Sequence, residues 1–199
     1  MMDDVFAWMD ERGLESSHFL GHSMGGKLAM KIACERPERL RSLMVVDIVP
    51  KTYPSSHDSE YEVMRAIDLS ALPSRTAADR YLTEAVADWG KRQFLLTNLA
   101  RREDGNGFRW IVNLEALEAN QREIEASPIG AEHGFEGKTL FLMGGRSEYF
   151  HSEDVALIKR SFPNATLEVI EASGHNPHFE CREEFVSLIA KFAEEMETC

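Results

Sequence analysis

An apolar run through Phe19-Leu20 stops at Gly21-His22-Ser23-Met24-Gly25, and a helical pattern, Gly26-Lys27-Leu28-Ala29-Met30-Lys31-Ile32-Ala33-Cys34, begins at once. A serine between two glycines at such a junction admits few backbones. If the chain turns sharply from strand to helix, Ser23 is held in a strained conformation with its Oγ clear of the main chain. The two backbones then pass close together, so the residues two before and two after, Gly21 and Gly25, are expected to be nearly without side chains. That is the G-x-S-x-G nucleophile elbow. An ordinary glycine-rich turn can carry the same letters. The strand pattern of Ser17-His18-Phe19-Leu20 before them and the helical spacing after them favour the elbow.

An elbow of this kind sits on a parallel sheet, and the chain supplies one. Ser17 to Gly21, Leu43 to Asp47, Thr139 to Met143 and Thr166 to Ile170 read as short strands, with helical patterns between the first two and the last two. This is the rhythm of a parallel sheet buried on both faces. Residues 2 to 12 read as a helix closed by Gly13, with Val5, Phe6, Trp8 and Met9 on its buried side. Asp154 to Phe162 reads as a crossover helix, and Glu183 to Met196, with Phe185, Val186, Leu188, Ile189 and Phe192, as the closing one. The expected fold class is α/β, a mostly parallel sheet flanked by helices, and 199 residues suffice to bury a core. The core is assigned to residues 1–49 and 138–199.

Residues 50–137 form a long insertion with helical patterns at Tyr61 to Ile67, Ala77 to Asp88, Arg92 to Leu99 and Leu114 to Ala126. Glu103-Asp104-Gly105-Asn106-Gly107 is a turn signal between Leu99-Ala100-Arg101 and Phe108-Arg109-Trp110, which predicts a small hairpin. Open α/β sheets bind ligands at the carboxyl edge, so the insertion is expected to be a lid, or else a helical extension packed elsewhere. Phe94, Leu95, Leu96, Trp89 and Trp110 are candidates to contact an acyl chain; they also suit the insertion's own core.

The net charge of -12 argues against binding nucleic acid, which needs clustered Lys and Arg. Three cysteines, Cys34, Cys181 and Cys199, form no C-x-x-C pair, which suits a reducing compartment and neither a disulfide framework nor a zinc site. No run approaches ~18 apolar residues, and Met1-Met2-Asp3-Asp4 lacks the positive charge of a leader. A cytoplasmic location without a membrane span is expected, or the mitochondrial matrix if a leader precedes Met1.

A serine hydroxyl needs a base to take its proton and an acid to orient that base. His175 follows the last strand in Ala172-Ser173-Gly174-His175, and a loop there can reach back to the elbow. His178 is its nearest rival and otherwise a wall residue. His22 is assigned a packing role; His18, His57, His133 and His151 read as ordinary histidines. For the acid, a G-x-x-D loop after the third strand is excluded because Gly144-Gly145-Arg146-Ser147 ends in serine. Asp47, at the end of the second strand, becomes the candidate, with a turn-capping carboxylate before Pro50 as the competing role. Glu148, Glu153 and Asp154 are outside alternatives, and Ser147 is a polar partner for the histidine or the carboxylate.

Taken together, Gly21-His22-Ser23-Met24-Gly25-Gly26-Lys27, Val45-Val46-Asp47-Ile48-Val49-Pro50, Arg92-Gln93-Phe94-Leu95-Leu96-Thr97-Asn98-Leu99, Phe108-Arg109-Trp110, Gly144-Gly145-Arg146-Ser147 and Gly174-His175 resemble the bacterial YbfF-type esterases of the alpha/beta-hydrolase superfamily. They resemble equally the related mitochondrial alpha/beta-hydrolase domain-containing protein eleven. The likeness runs from about residue 5 to residue 193. It implies Ser23 as nucleophile, Asp47 as acid, His175 as base and Ser147 as an accessory member, acting on acyl esters or thioesters without metal or cofactor. Relatives carry further strands and a His-Gly loop before the elbow, and that loop supplies one oxyanion donor. Here one helix precedes the elbow, and the Met24 N–H is the donor the elbow itself offers. The resemblance therefore implies a partial alpha/beta-hydrolase fold with an open sheet edge at the first strand. Weakened activity, a non-catalytic binding module, or self-association along that edge are the expected consequences.

Overall fold

The computed structural model describes residues 1–54 and 58–197; His57 and Cys199 lie outside the described residues. In chain order the elements are α1 (Met2–Glu11), β1 (Ser17–His22), α2 (Met24–Glu35), a 3-10 turn (Pro37–Arg39) and β2 (Leu40–Val46). Then come α3 (Asp58–Ala66), α4 (Arg75–Thr83), α5 (Trp89–Thr97), β3 (Leu99–Arg101), β4 (Phe108–Trp110), α6 (Leu114–Ala119) and α7 (Gln121–Glu125). The chain closes with β5 (Thr139–Gly144), α8 (Asp154–Ser161), β6 (Ala165–Ile170), α9 (Pro177–Glu180) and α10 (Arg182–Glu197). They form two compact units, one of Met1–Thr52 with Ala126–Cys199 and one of Tyr53–Glu125.

The first unit is built on a four-stranded, all-parallel sheet in the order β1-β2-β5-β6. Leu43 to Val46 of β2 and Thr139 to Gly144 of β5 are buried without interruption, as inner strands covered on both faces must be. On one face Met44, Val46, Leu140, Leu142 and Ile170 pack with Phe192, Phe185, Leu188 and Ile189 of α10. On the other, Phe141 meets the Phe162 ring just past α8 at 5.3 Å. Phe6, Met9 and Ile32 join α1 and α2 beside Phe19 and Leu40. Among the described residues β1 has one strand neighbour, β2, and its Leu20 is 48% exposed.

Some elements differ from expectation for identifiable reasons. Trp8, expected on the buried side of α1, is 51% exposed beneath the Arg12 guanidinium. The buried stripe runs through Met2, Val5, Phe6 and Met9 at helical spacing, and Trp8 falls beside it. Val186 of α10 is likewise exposed. The helix expected from Leu114 to Ala126 is broken at Asn120, whose side chain donates to the Ala116 carbonyl and ends α6. The 3-10 turn and α9, each carrying a proline in its first turn, were not expected.

The second unit packs Met64, Ile67, Leu72, Ala78, Leu82, Leu96, Leu99 and Phe108 into a core of its own. Ser74, Asp88 and Asn113 cap α4, α5 and α6 by accepting from Ala77, Lys91 and Ala116 N–H groups. The expected hairpin is present as antiparallel β3 and β4. Arg92 is buried, and its charge is met by Asp79 and by the Val86 and Ala87 carbonyls. Among the described residues no helix is long and apolar enough to cross a membrane.

At the elbow, the close approach expected of Gly21 and Gly25 falls differently. A Cβ on Gly21 would lie 2.3 Å from the Gly25 carbonyl oxygen, and one on Gly26 would lie 2.6 Å from Ile48 Cγ2. One on Gly25 would meet nothing within 4 Å. It is the carbonyl of Gly25 that crosses the strand, while the α-carbon of Gly25 faces open space. Gly21→Ala should therefore cost stability by about 1–3 kcal/mol or more, as overpacking does, whereas Gly25→Ala should leave it unchanged or raise it slightly. Urea unfolding of the two variants checks the ranking.

Candidate active site

Parallel strands deliver their carboxyl ends to one edge, and every residue of the candidate site leaves a strand there. Ser23 follows β1 directly, and its N–H donates to the Val46 carbonyl at 3.0 Å. Its backbone is left-handed, φ 52°, so the chain turns into α2 with the side chain outside the helix. Asp47 follows β2, one residue beyond the strand, and its N–H donates to the Leu142 carbonyl at 2.9 Å. It too is left-handed, φ 49°, and these two are the non-glycine residues with positive φ among those described. Each such backbone costs on the order of 1–3 kcal/mol and persists where surrounding contacts over-determine it.

Those contacts are hydrogen bonds to a carboxylate with no solvent exposure. Asp47 Oδ1 accepts from the Gly144 N–H at 2.8 Å, at the end of β5. Asp47 Oδ2 accepts from the Ser147 hydroxyl at 2.5 Å and from His175 Nδ1–H at 2.7 Å. Ser147 Oγ in turn accepts from the Tyr149 N–H at 3.1 Å. With Nδ1 donating, the His175 tautomer leaves Nε2 as acceptor, and the Ser23 hydroxyl donates to it at 3.1 Å. Four strand ends thus converge on one hydrogen-bonded chain from Ser23 through His175 to Asp47.

The His175 loop follows β6 and is held on several sides. The Tyr149 ring stacks on the imidazole at 4.0 Å and 22°. His22 Nε2–H donates to the His175 carbonyl at 2.7 Å, and its ring lies 4.7 Å from that of His175. The Glu180 carboxylate accepts from the N–H groups of Gly174, at 2.8 Å, and Asn176, at 3.0 Å. Burial lowers the pKa of His22 from 6.5 to about 4, against the hydrogen bond to His175, so the ring is neutral. Partial burial and the neighbouring His175 also lower the pKa of His178, whose ring meets those of His22 and Phe185.

Ser23, Asp47, Ser147 and His175, picked out in the sequence, are therefore brought together. Met24 is the first residue of α2, so its N–H has no acceptor inside the helix. Leu95 and Trp110 pack against the core of the Tyr53–Glu125 unit, where Trp110 Nε1–H donates to the Met64 carbonyl at 3.1 Å; Phe94 is exposed. Asp154 is engaged by Lys51 and the His151 N–H, and Glu148 is exposed. His22 does more than the packing assigned to it, and Tyr149 and Glu180 were missed. Nothing in the spacing marks Tyr149. Glu180 could have been suspected from a loop whose N–H groups need an acceptor. A concavity of about 290 Å³ lined by Cys34, Ser127, Ile129 and His133 lies apart from these residues, and burial and Glu35 push the Cys34 thiol up to about 11, leaving it a poor nucleophile.

Comparison with known proteins gives a consistent picture. A family model described as alpha/beta hydrolase fold matches residues 1–180. The mouse sn-1-specific diacylglycerol lipase ABHD11 is 36% identical over 198 residues, covering 96% of this chain and 64% of the relative. Esterase YbfF of Escherichia coli K12 is 27% identical over 195 residues, covering 96% and 73%. A solved structure of a marine microorganism esterase superposes with a TM-score of 0.90 at 32% identity, covering 96% of this chain and 75% of that one. The chain spans less than two thirds of the length of the mouse and Xenopus laevis ABHD11 relatives, 64% and 63%.

The lowered pKa of His22 has a thermodynamic consequence. Between 6.5 and about 4 the unfolded chain binds a proton at residue 22 that the folded chain refuses. His22 therefore favours folding above that window, and its contribution is lost as pH falls through it. Urea titrations across the window should show stability declining with acidity, with a shallower slope in His22→Gln.

Proposed function

The chain belongs to the alpha/beta hydrolase family, and we propose that it is a serine hydrolase cleaving acyl esters, thioesters included, through an acyl-enzyme. The observation that carries this reading is the continuous path Ser23 Oγ–H to His175 Nε2, 3.1 Å, and His175 Nδ1–H to Asp47, 2.7 Å. In the proposed reaction Ser23 Oγ attacks the acyl carbonyl while His175 Nε2 takes its proton. Asp47 keeps the imidazole in the tautomer that can do so and stabilises the imidazolium. The negative oxygen of the tetrahedral intermediate accepts from the Met24 N–H. Collapse breaks the bond to the leaving alcohol or thiol, which takes the proton from His175. Water, deprotonated by the same histidine, then attacks the acyl-enzyme, and the carboxylic acid leaves with Ser23 restored.

Ser147 fits the role of fixing the second lone pair of Asp47 Oδ2, leaving one direction for His175. In this proposal the Tyr53–Glu125 unit, inserted in the chain between β2 and β5, keeps the lid role read from the sequence, and of the expected acyl contacts Phe94 is the exposed one. A second reading, a partner-stabilised module without catalysis, is favoured by the open edge of β1 with Leu20 exposed on it.

A fluorophosphonate probe separates the two. It should label the chain and fail to label Ser23→Ala. Asp47→Asn should lower ester turnover by roughly 10⁴-fold, the cost of presenting the wrong histidine tautomer, while Asp154→Asn leaves it near wild type. No labelling of folded protein would favour the module, and a ranking in which Asp154→Asn is the more damaging would reject Asp47 as the acid.

A further inference from the structure

The loop that carries His175 lies between β6 and α9, where no strand pairing holds it, yet its imidazole must keep 2.7 Å to Asp47 and 3.1 Å to Ser23 at once. Three consecutive residues of that loop have a backbone group taken by a side chain. Glu180 accepts from the N–H groups of Gly174 and Asn176, and His22 donates to the carbonyl of His175 between them. We infer that His22 and Glu180 are positioning residues that clamp the His175 loop from two elements and so reference the base to the same strand end that carries the nucleophile.

His22 is the last residue of β1 and the neighbour of Ser23, so any shift of the elbow moves the anchor of the base with it. The nucleophile and the side chain that anchors the base thereby leave the same strand end. A carbonyl only accepts, so His22 must present Nε2–H. A neutral imidazole does this without placing a cation beside His175, which itself becomes cationic in the proposed reaction. The charged or titratable groups around His22 are His175, His178 and Asp47, and the burial that holds His22 neutral is consistent with this use. Glutamine carries an amide N–H near the place of Nε2, whereas leucine fills similar space with no donor.

The inference rests on the proposed role of His175, and its test includes a readout that needs no activity. In the folded chain the His175 Nδ1–H proton should give a low-field resonance through its bond to Asp47. That resonance should persist in His22→Gln and disappear in His22→Leu. Amide exchange at Gly174 and Asn176 should accelerate in Glu180→Ala, an exposed position where folding is not at risk. In ester hydrolysis His22→Leu and Glu180→Ala should lower kcat by up to roughly 100-fold at unchanged KM, the cost of a misplaced catalytic group, with His22→Gln recovering much of it. If the resonance in His22→Leu, exchange in Glu180→Ala and kcat in both match wild type, the clamp is refuted. Should the resonance and exchange change as described while the wild type shows no Ser23-dependent turnover, the clamp stands and the proposed hydrolase function falls.

Discussion

A carboxylate with no access to solvent organises this protein. Removing Asp47 from water is costly unless donors replace the lost hydration, and two other strand ends supply them: Gly144 at the end of β5 with Ser147 in the loop that follows, and His175 after β6. Asp47 itself is placed by its N–H bond to Leu142, and it adopts a left-handed backbone to reach all three partners. Satisfying one buried charge therefore aligns the loops of three strands. His175 is then oriented with its free nitrogen toward Ser23, which the fourth strand holds in a second strained turn.

Much of this is legible in the sequence. A parallel strand is a continuous apolar run, and Met44-Val45-Val46 and Leu140-Phe141-Leu142 are such runs. Successive strands of this kind send their ends to one edge, so Ser23, Asp47, Ser147 and His175 could be gathered by their positions just past strands. What could not be read follows from the chemistry of the signals. A positive φ at an aspartate has no letter to announce it, unlike one at glycine. The motif implied small residues at Gly21 and Gly25, but whether a Cβ fits depends on which atom crosses, and the atom is the Gly25 carbonyl. Trp8 is a large aromatic residue like Phe6, and its angle around α1 puts it beside the buried stripe. His22 and Glu180 act through backbone groups of a loop, and such partners leave no spacing pattern.

The helical unit shows the same division between local and distant signals. Its caps at Ser74, Asp88 and Asn113 are local and mark the starts of α4, α5 and α6. Two of its ion pairs join residues distant in sequence: Glu60 meets Lys91, and Asp79 meets Arg92 thirteen residues on. With Leu96, Leu99 and Phe108 committed to its core, the aromatic surface left exposed on this unit includes Tyr81, Trp89 and Phe94.

In the proposed mechanism Ser23 forms a covalent ester with the acyl group of the substrate. Rapid quenching of the chain with an activated aryl ester, followed by peptide mass mapping, measures this directly. One acyl group is expected on the peptide containing Ser23, absent from Ser23→Ala and slow to accumulate in Asp47→Asn. An acyl group found instead on Cys34 or Cys181, or turnover that continues with Ser23 replaced, would contradict it.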